Sequence, residues 1–534
     1  MSTPSIALLF HLVSISIFAI ASSSSHRTAD PTEAFLKCLG LRNHSFVPNK
    51  STYTRRDSGY STILNLGINN LRFTSTSTPK PLVIVTPLDE SQVPPVVQCA
   101  KDVDLEIRIR SGGHDYEGLS SVSQLPFVIL DLMLLRSIDI DVASRTAWVQ
   151  SGAIVGELYY KIAKASPILA FPAGVCPTIG IGGHLAGGAY GTLLRKYGLG
   201  ADNVIDARIV DVNGSVLDRK TMGEDLFWAV RGGGGASFGI ILSWKIKLVQ
   251  VPKNVTVFTV TRTLQQNATG LIYKWQNIAH KFDTNLLMRA IFNRIGAVET
   301  GDATIGVYFN SVFLGGVDKL LPLLKKSFPE LGVVKEDCTE MSWAQSILNF
   351  NGFSINEPLE TLQNRSINPR RYFKAKSDYV TKPIPLSAFQ GIWNLFFEKE
   401  ATGAVVIFTP YGGKMKDISK SAIPFPYRSG NIYSIQHLVY WSEEENAKAE
   451  NYIAWMRKLY SYFGAYVSNS PRAAYINYKD LDLGQNNLGN TSYNEANNRW
   501  GADYFNGNFK RLANVKTLVD PGNFFKNELS IPLL

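Results

Sequence analysis

The spacing of apolar residues changes repeatedly between residues 81 and 251 of this chain. Residues 105–110 (LEIRIR) alternate apolar and polar positions in period two, as a half-buried strand does. This pattern, or a short apolar run, predicts strands at 81–87, 105–110, 127–132, 146–149, 204–212 and 240–249. Helical spacing predicts helices at 90–104 and 155–165. The mixture predicts an α+β domain that ends near Val251.

After residue 252 strands and amphipathic helices follow one another, and no internal repeat stands out. Strands are predicted at 255–260 and 405–409, and a helix at 447–463. We expect this part to form a sheet covered by helices that faces a substrate. The 534 residues are therefore divided into a leader (1–25), an N-terminal arm (26–75), a first domain (76–251), a second domain (252–470) and a C-terminal segment (471–534) that we expect to pack on the first domain.

The first residues resemble a secretory signal. Residues 6–20 form a short, mostly apolar run followed by Ala21 and four serines, although the leader has no Lys or Arg. The alternative is a membrane anchor, but the run is short for a span of about 20 residues. Asn-x-Ser/Thr sequons, which fit a glycosylated surface, occur at Asn43, Asn49, Asn213, Asn254, Asn267, Asn364 and Asn490. We therefore expect secretion and no membrane span.

The four cysteines are too few for a disulfide scaffold and show no metal-ligand spacing. In an oxidising compartment Cys38 and Cys99 are the natural disulfide pair, joining the arm to the first domain. Cys338 is expected to be a buried thiol. The net charge of +10 favours acidic surroundings such as a polyuronate matrix. Because no dense Lys/Arg run or nucleic-acid motif is present, nucleic acid is a poor candidate partner. A monomer is expected.

Three glycine-rich segments carry the clearest chemical signal. They are 110–118 (RSGGHDYEG), 174–191 (GVCPTIGIGGHLAGGAYG) and 231–239 (RGGGGASFG). Because glycine lets backbone amides approach a ligand closely, such segments can bind a diphosphate. None fits the dinucleotide fingerprint G-x-G-x-x-G, since Leu185 and Ser237 occupy the last glycine position. A nicotinamide enzyme of the doubly wound type is therefore disfavoured.

His114 and Cys176 each lie in one of these segments. Alone, His114 is typical of a histidine that hydrogen-bonds turn backbone, and Cys176 of a small buried apolar residue. Together, in glycine loops of one α+β domain, they indicate a covalently attached flavin.

These three motifs, with 475–484 (YINYKDLDLG) and the ending 500–532, resemble those of the plant berberine bridge enzyme-like oxidoreductases. That family belongs to the vanillyl-alcohol-oxidase flavoprotein superfamily, and the resemblance covers nearly everything after the leader. It implies a two-part FAD-binding domain of the PCMH type and a substrate domain with an antiparallel sheet covered by helices. It also implies FAD bonded by His114 at the 8α carbon and by Cys176 at C6. Further cofactor contacts are expected from Arg110, Ser111, Gly112, Gly113, Ile179, Gly180, Gly182, Gly183, His184 and Gly188.

The resemblance also assigns catalytic residues. Tyr478 matches a tyrosine that acts as a phenolate and takes a proton from a substrate hydroxyl, which requires a pKa well below about 10. Arg289 and Tyr190 match residues that assist it, and Tyr116 and Gln436 complete the candidate set. The alternative is aromatic packing, because the chain contains 23 tyrosines.

One stretch departs from the family pattern. Members that oxidise monolignols carry Lys-x-Gln-Tyr where this chain has Ser434, Ile435, Gln436 and His437. The missing lysine removes one cation that stabilises a phenolate, which puts monolignol oxidation in doubt. His437 is a candidate base or substrate contact, or an ordinary strand histidine.

The function expected from this resemblance is an FAD-dependent oxidoreductase secreted to the cell wall or apoplast, with the vacuole as an alternative. It removes a hydride from a C–H beside oxygen or nitrogen of an aromatic allylic alcohol, a carbohydrate or an alkaloid or phenolic metabolite. The alternatives are an oxidative cyclase or pericyclase, or a non-enzymatic carbohydrate-binding wall protein. Ile179 stands where valine accompanies oxidases, so we expect an acceptor other than oxygen to be preferred.

Overall fold

A computed structural model describes residues 30–48, 50–298, 301–366, 369–487, 489 and 491–534. The predicted leader and the sequons Asn49 and Asn490 lie outside the described residues. Of the other sequons, Asn213, Asn254, Asn267 and Asn364 are exposed, and Asn43 is half-buried. No helix within the described ranges has the length and apolar character that crossing a membrane requires.

Strands and helices alternate along the chain. The strands are β1 (Thr52–Thr54), β2 (Val83–Val85), β3 (Glu106–Arg110), β4 (Phe127–Asp131), β5 (Ile138–Asp141), β6 (Thr146–Gln150), β7 (Leu169–Ala170), β8 (Val204–Val210), β9 (Val216–Leu217), β10 (Ile240–Lys247), β11 (Val249–Gln250), β12 (Val255–Thr263), β13 (Leu286–Ile295), β14 (Thr304–Phe313), β15 (Cys338–Met341), β16 (Tyr372–Val380), β17 (Ala404–Pro410) and β18 (Tyr433–Trp441). The helices are α1 (Pro31–Arg42), α2 (Tyr60–Leu66), α3 (Val93–Asp102), α4 (Val155–Ala165), α5 (Ile181–Ala186), α6 (Leu194–Tyr197), α7 (Arg219–Val230), α8 (Ala268–Ile278), α9 (Val317–Ser327), α10 (Trp343–Phe350), α11 (Leu386–Phe396), α12 (Lys414–Asp417), α13 (Ala449–Phe463), α14 (Tyr493–Ala496), α15 (Ala502–Phe505) and α16 (Phe509–Val519).

Two sheets form the part of the chain before residue 252. The first has the order β1-β2-β4-β3, in which β4 runs parallel to both β2 and β3. Because β4 is buried along its whole length, its sequence is a continuous apolar run that ends in Asp131. The second sheet, β5-β6-β10-β8-β9, is antiparallel. The predicted α+β fold class is confirmed.

The larger sheet follows, with the order β15-β12-β14-β13-β17-β18-β16 and antiparallel pairing throughout. Its side chains alternate between two environments, as the period of a strand requires. In β17, Val406 and Phe408 lie in an apolar core under helices α8, α11 and α13. Val405 and Ile407 point to the other face and line a cavity. The sheet therefore presents one covered face and one cavity face.

The C-terminal segment packs on the part of the chain before residue 252. Lys516 of α16 donates to the carbonyl of Ser237 at 2.8 Å, and the hydroxyl of Ser237 accepts from the amide of Ile531 at 3.1 Å. At the arm, the predicted disulfide between Cys38 and Cys99 is confirmed, and it joins α1 to α3. Cys338 is half-buried at the start of the edge strand β15, so the expectation of a buried thiol is wrong.

Candidate active site

A cavity of about 710 Å³ lies between the glycine loops and the cavity face of the large sheet. Its size is within the range of roughly 300–1,000 Å³ that small-molecule and cofactor sites occupy. Predicted residues that line it are Ser111, Gly112, Gly113, His114, Tyr116, Cys176, Ile179, Gly180, Gly182, Gly183, His184, Tyr190, Arg289, Gln436 and Tyr478. The structure therefore brings most of the predicted site residues to one cavity.

The first two glycine loops pack backbone against backbone. A Cβ atom at Gly112 would lie 2.2 Å from the amide nitrogen of Gly180, and one at Gly180 would lie 2.1 Å from the hydroxyl of Ser111. The Ser111 hydroxyl in turn donates to the carbonyl of Ser151 at 2.5 Å. These glycines are needed because the loops touch each other, a role that the sequence analysis did not assign to them.

Other glycines leave open space toward the cavity. A Cβ atom at Gly183 or Gly235 would meet no atom within 4 Å, and both residues line the cavity. Backbone without side chains on this wall leaves room for a ligand to approach the peptide groups, as a diphosphate requires.

Thr178 connects the two candidate attachment residues. Its hydroxyl lies 2.9 Å from Nε2 of His114 and 3.5 Å from Sγ of Cys176. Burial lowers the pKa of His114 to about 4, so its imidazole is neutral at physiological pH and has a nitrogen lone pair. A neutral imidazole and a thiol on opposite loops of one cavity suit covalent attachment of a planar cofactor. Together with the cavity volume and the bare wall at Gly183, this donor set fits FAD.

Two predicted cofactor contacts lie elsewhere. The guanidinium of Arg110 is buried behind the loop, where it pairs with Asp131 at 2.7 Å and donates to the carbonyls of Ile63 and Leu64. Arg110 is outside the lining of the cavity and holds the start of the loop instead. Gly188 is also outside the lining, and its φ of +120° serves the turn that leads to Tyr190. The guanidinium of Arg110 is therefore committed to the interior, whereas cofactor contact by Gly188 stays a prediction.

His184 lines the cavity but uses its ring internally. Its Nε2 accepts a hydrogen bond from the amide of Gly174 at 2.9 Å, which fixes the loop that carries Cys176. Burial lowers the pKa of His184 to about 4, because the imidazolium would lose its hydration.

Tyr478 lies at the centre of an aromatic cluster. Its hydroxyl is 2.6 Å from the hydroxyl of Tyr190, and its ring stacks on Tyr116 with centroids 5.3 Å apart and planes 3° apart. The hydroxyl of Tyr116 accepts a hydrogen bond from Nε2 of Gln436 at 2.6 Å. These contacts join the C-terminal segment, both glycine loops and the large sheet in one group.

Arg289 supplies positive charge to this cluster. Its guanidinium donates to Oδ1 of Asn310 at 2.7 Å and lies 4.7 Å from the ring centre of Phe350. Burial lowers the pKa of Arg289 to about 10, and the neighbouring tyrosines Tyr190 and Tyr478 oppose that shift. The Nε of Arg289 is buried without a hydrogen-bond partner among the described residues.

The pKa of Tyr478 is raised well above its usual value, first because burial disfavours the phenolate and then because other tyrosines surround it. Burial also raises the pKa of Tyr190, although the hydrogen bond with Tyr478 and the charge of Arg289 lower it. The protein groups alone therefore disfavour the phenolate that the proposed role of Tyr478 requires, and its low pKa stays a prediction. The hydroxyl pair is best treated as one unit that shares its protons.

His437 lies on the wrong face of the sheet for a role in the cavity. Its ring is fully buried, and its Nε2 lies 2.9 Å from Oδ2 of Asp378, which also binds Arg472 at 2.7 Å. Burial lowers the pKa of His437 despite Asp378. Gln436, one position earlier, faces the cavity as strand alternation requires. Of the three interpretations of His437, the structure supports the ordinary strand histidine.

The apolar wall of the cavity was not predicted from the sequence. This wall consists of Leu287, Ile291, Phe350, Phe373, Val405, Ile407, Leu438 and Tyr440, with Thr409 beside it. Alternation along β17 and β18 was the signal that could have identified several of these residues, because one face of each strand had to lie opposite the core.

Comparisons with known proteins agree with this geometry. Residues 81–219 match the model of an FAD binding domain, and residues 474–532 match the model described as berberine and berberine like. The chain is 51% identical over 502 residues to tetrahydroberberine oxidase of Berberis wilsoniae, covering 94% of each chain. It is similar to the structure of BBE-like #28 from Arabidopsis thaliana, with a TM-score of 0.88 and 47% identity, covering 94% of this chain and 100% of that one.

A third relative is the grass pollen allergen Phl p 4, whose wild-type form is described as a glucose dehydrogenase. Its structure has a TM-score of 0.88 and 43% identity, covering 94% of this chain and 99% of that one. An isoleucine-to-valine variant of Phl p 4 is described as a glucose oxidase.

The cavity, the glycine loops that contain His114 and Cys176, and these matches together define an FAD-linked oxidoreductase. The chain belongs to the berberine bridge enzyme-like family.

Proposed function

We propose that this enzyme removes a hydride from a C–H bond beside oxygen or nitrogen of a small substrate with an apolar body. The observation that supports this best is that the Tyr190–Tyr478 hydroxyl pair and Arg289 share one cavity with a large set of apolar side chains. FAD, when bound, supplies the hydride acceptor, and His114 and Cys176 would hold it covalently. The apolar wall favours an aromatic alcohol, a phenolic metabolite or an alkaloid over a carbohydrate.

The residues of the cluster handle the proton. As the substrate C–H bond breaks, the substrate O–H or N–H proton passes to the oxygen of Tyr478, which must first be a phenolate. The positive charge of Arg289 compensates one negative charge shared by Tyr478 and Tyr190, so that the pair can lose one proton despite its burial. Gln436 orients Tyr116, whose ring limits where the substrate can lie beside Tyr478.

The electron acceptor is inferred from Ile179, which lines the cavity three residues after Cys176. In a closely packed site the extra methylene of isoleucine over valine restricts the space that oxygen needs. The dehydrogenase and oxidase descriptions of wild-type Phl p 4 and its isoleucine-to-valine variant support this reasoning. We infer that the enzyme transfers electrons mainly to an acceptor other than oxygen. We also infer that it is secreted, glycosylated and monomeric.

Anaerobic bleaching of the yellow flavin tests the proposal. The purified protein is mixed with a panel of aromatic allylic alcohols, phenolic metabolites, alkaloids, sugars and oligosaccharides. Bleaching by a compound with an apolar body supports the proposal, and bleaching by sugars alone refutes the substrate class. A colourless protein that binds polysaccharide would instead support a non-enzymatic carbohydrate-binding protein. Conversion of a substrate without net flavin turnover would indicate a pericyclase.

A further inference from the structure

Oppositely charged residues flank the two stacked tyrosines. Asp115 precedes Tyr116, and Lys479 follows Tyr478. The ammonium of Lys479 donates to Oδ2 of Asp115 at 2.7 Å, and both side chains are largely buried, with 17% and 10% exposure. The ion pair therefore joins the residues next to the two rings that stack with planes 3° apart.

A second set of ion pairs joins the same two segments. Glu117 follows Tyr116, and Asp480 lies two residues after Tyr478. Both carboxylates bind the ammonium of Lys374, with Asp480 at 2.8 Å, and the three side chains are 2–5% exposed. Lys376 adds a second contact to Asp480 at 2.5 Å. We call the Asp115–Lys479 pair and the Glu117–Lys374–Asp480 bridge the tyrosine brace.

We propose that Lys479 and Lys374 are positioning residues that hold Tyr478 in register with the loop of His114. This inference rests on the proposed function, because it concerns how accurately the hydroxyl of Tyr478 is placed. Tyr116 is two residues from His114, so a fixed stack relates the Tyr478 ring to the loop that would carry the cofactor. Lys374 lies on β16, which pairs with β18, so the brace also connects the sheet that carries Gln436.

A purely stabilising role explains the arrangement less well. Buried ion pairs lose hydration that their attraction repays only partly, and apolar side chains of similar size often give equal stability. Lys374 and Lys376 also lie on β16 at the edge of the sheet, where buried charges discourage pairing with a foreign strand. Protection of the sheet edge does not require these lysines to form ion pairs with residues close to Tyr116 and Tyr478. Positioning of the Tyr478 ring does require it.

Lys479→Met keeps most of the apolar stem and removes the ammonium. We expect flavin reduction at saturating substrate to slow by about tenfold or more, because a shift on the order of 1 Å in a reacting group can cost about 100-fold. The dissociation constant of the substrate should change by less than about twofold, since Lys479 lines the cavity but is not part of its apolar wall. Lys479→Arg, which can still pair with Asp115, should restore most of the rate.

Asp115→Asn removes the ion pair with Lys479 while keeping the turn that contains Asp115. Oδ1 of Asp115 accepts from the amides of Glu117 and Leu119, and asparagine can preserve both bonds while losing the charge. If the ion pair acts as one unit, the double variant Asp115→Asn with Lys479→Met should be no slower than the slower single variant. Multiplying effects would show that the two residues act separately and would overturn the proposal.

Near-ultraviolet circular dichroism gives a readout that is independent of catalysis. The spectrum is recorded for the unmodified protein and for each Lys479 variant, and again for each of these with Tyr478→Phe added. The difference between the two spectra of each pair reports the asymmetric environment of the Tyr478 ring. We expect this difference to shrink in Lys479→Met and to return in Lys479→Arg. An unchanged difference in Lys479→Met would mean that the ring remains fixed without the brace, which overturns the proposal.

Arg365→Met is the matched control. Arg365 pairs with Glu157 at 3.1 Å with similar exposure, 23% and 13%, and neither residue lines the cavity. We expect it to lower the melting temperature without slowing flavin reduction. An equal slowing in Arg365→Met would make the effect one of stability and refute the brace.

If Tyr478→Phe alone leaves flavin reduction unchanged, the proposed base fails, while the circular dichroism still decides whether the brace fixes the ring. Lys374→Met tests the other half, and the Lys479 variants decide the question if it does not fold.

Discussion

Replacing Tyr478 with phenylalanine removes one oxygen atom and keeps the ring that stacks on Tyr116. A positioned base contributes about 10²–10⁴-fold to a rate. Because the hydroxyl of Tyr190 lies only 2.6 Å away, part of the proton transfer can pass to it, and we expect the lower end of that range. The predicted slowing is about 10²-fold, which corresponds to about 3 kcal/mol in the barrier.

The effect on stability should be much smaller. The substitution removes one hydrogen bond, worth about 1 kcal/mol, so the melting temperature should fall by no more than about 2–4 °C. Tyr433→Phe is the matched control, because it removes a hydroxyl that donates to Gln276 at the same distance of 2.6 Å on the covered face of the sheet. That variant should lose similar stability and reduce its flavin at the normal rate.

The assay is anaerobic stopped-flow reduction of the flavin at saturating substrate, followed by the loss of visible absorbance. A rate within about threefold of the unmodified protein in Tyr478→Phe would refute the assignment of the base. If Tyr190→Phe alone gave the 10²-fold loss, the base would instead be Tyr190.

Three further predictions concern the cofactor loops. Acid-precipitated protein should stay yellow, and a flavin-bearing peptide should contain both His114 and Cys176. His114→Ala and Cys176→Ala should each retain one covalent bond to the flavin. Release of free FAD from the unmodified protein would contradict this prediction. Ile179→Val should strongly accelerate reoxidation of the reduced flavin by oxygen and leave its reduction by substrate nearly unchanged. Fast reoxidation in the unmodified protein would refute the inference that Ile179 restricts the space for oxygen. His184 has a pKa of about 4 in the fold and about 6.5 when unfolded, so the unfolded chain binds the proton first as pH falls. The contribution of His184 to the free energy of unfolding should therefore fall by roughly 3 kcal/mol between pH 6.5 and pH 4. Denaturant unfolding of His184→Gln should show a shallower decline of the free energy of unfolding over the same range.

Local patterns were sufficient for the glycine loops and for the limited set of strands and helices that were predicted. The run at 127–132 predicted β4 because burial on both faces requires apolar residues at every position. The helix at 155–165 matches α4 at both ends. Here the information lies within a dozen neighbouring residues, so a single sequence is enough.

The arrangement of the active site depended on long-range contacts that no local pattern contains. The hydroxyls of Tyr190 and Tyr478 meet across 288 positions of sequence, and Lys374 reaches Glu117 across 257. The resemblance to a family supplied Tyr478 and Arg289, but it did not show that the Arg110 guanidinium pairs with Asp131 in the interior. It could not supply the burial that raises the pKa of Tyr478, because that burial is a property of the assembled fold.

The last part of the chain completes the cavity that the earlier loops begin. Asn477, Tyr478, Lys479 and Asn527 all line it, although His114 and Cys176 are hundreds of positions earlier. During synthesis the two proposed attachment residues therefore leave the ribosome long before their site has its final wall. If FAD is attached as proposed, its bonding in the final position would be a late event in biosynthesis, after the C-terminal segment has emerged and docked. A chain that stops before residue 471 would have both attachment residues and still lack this wall.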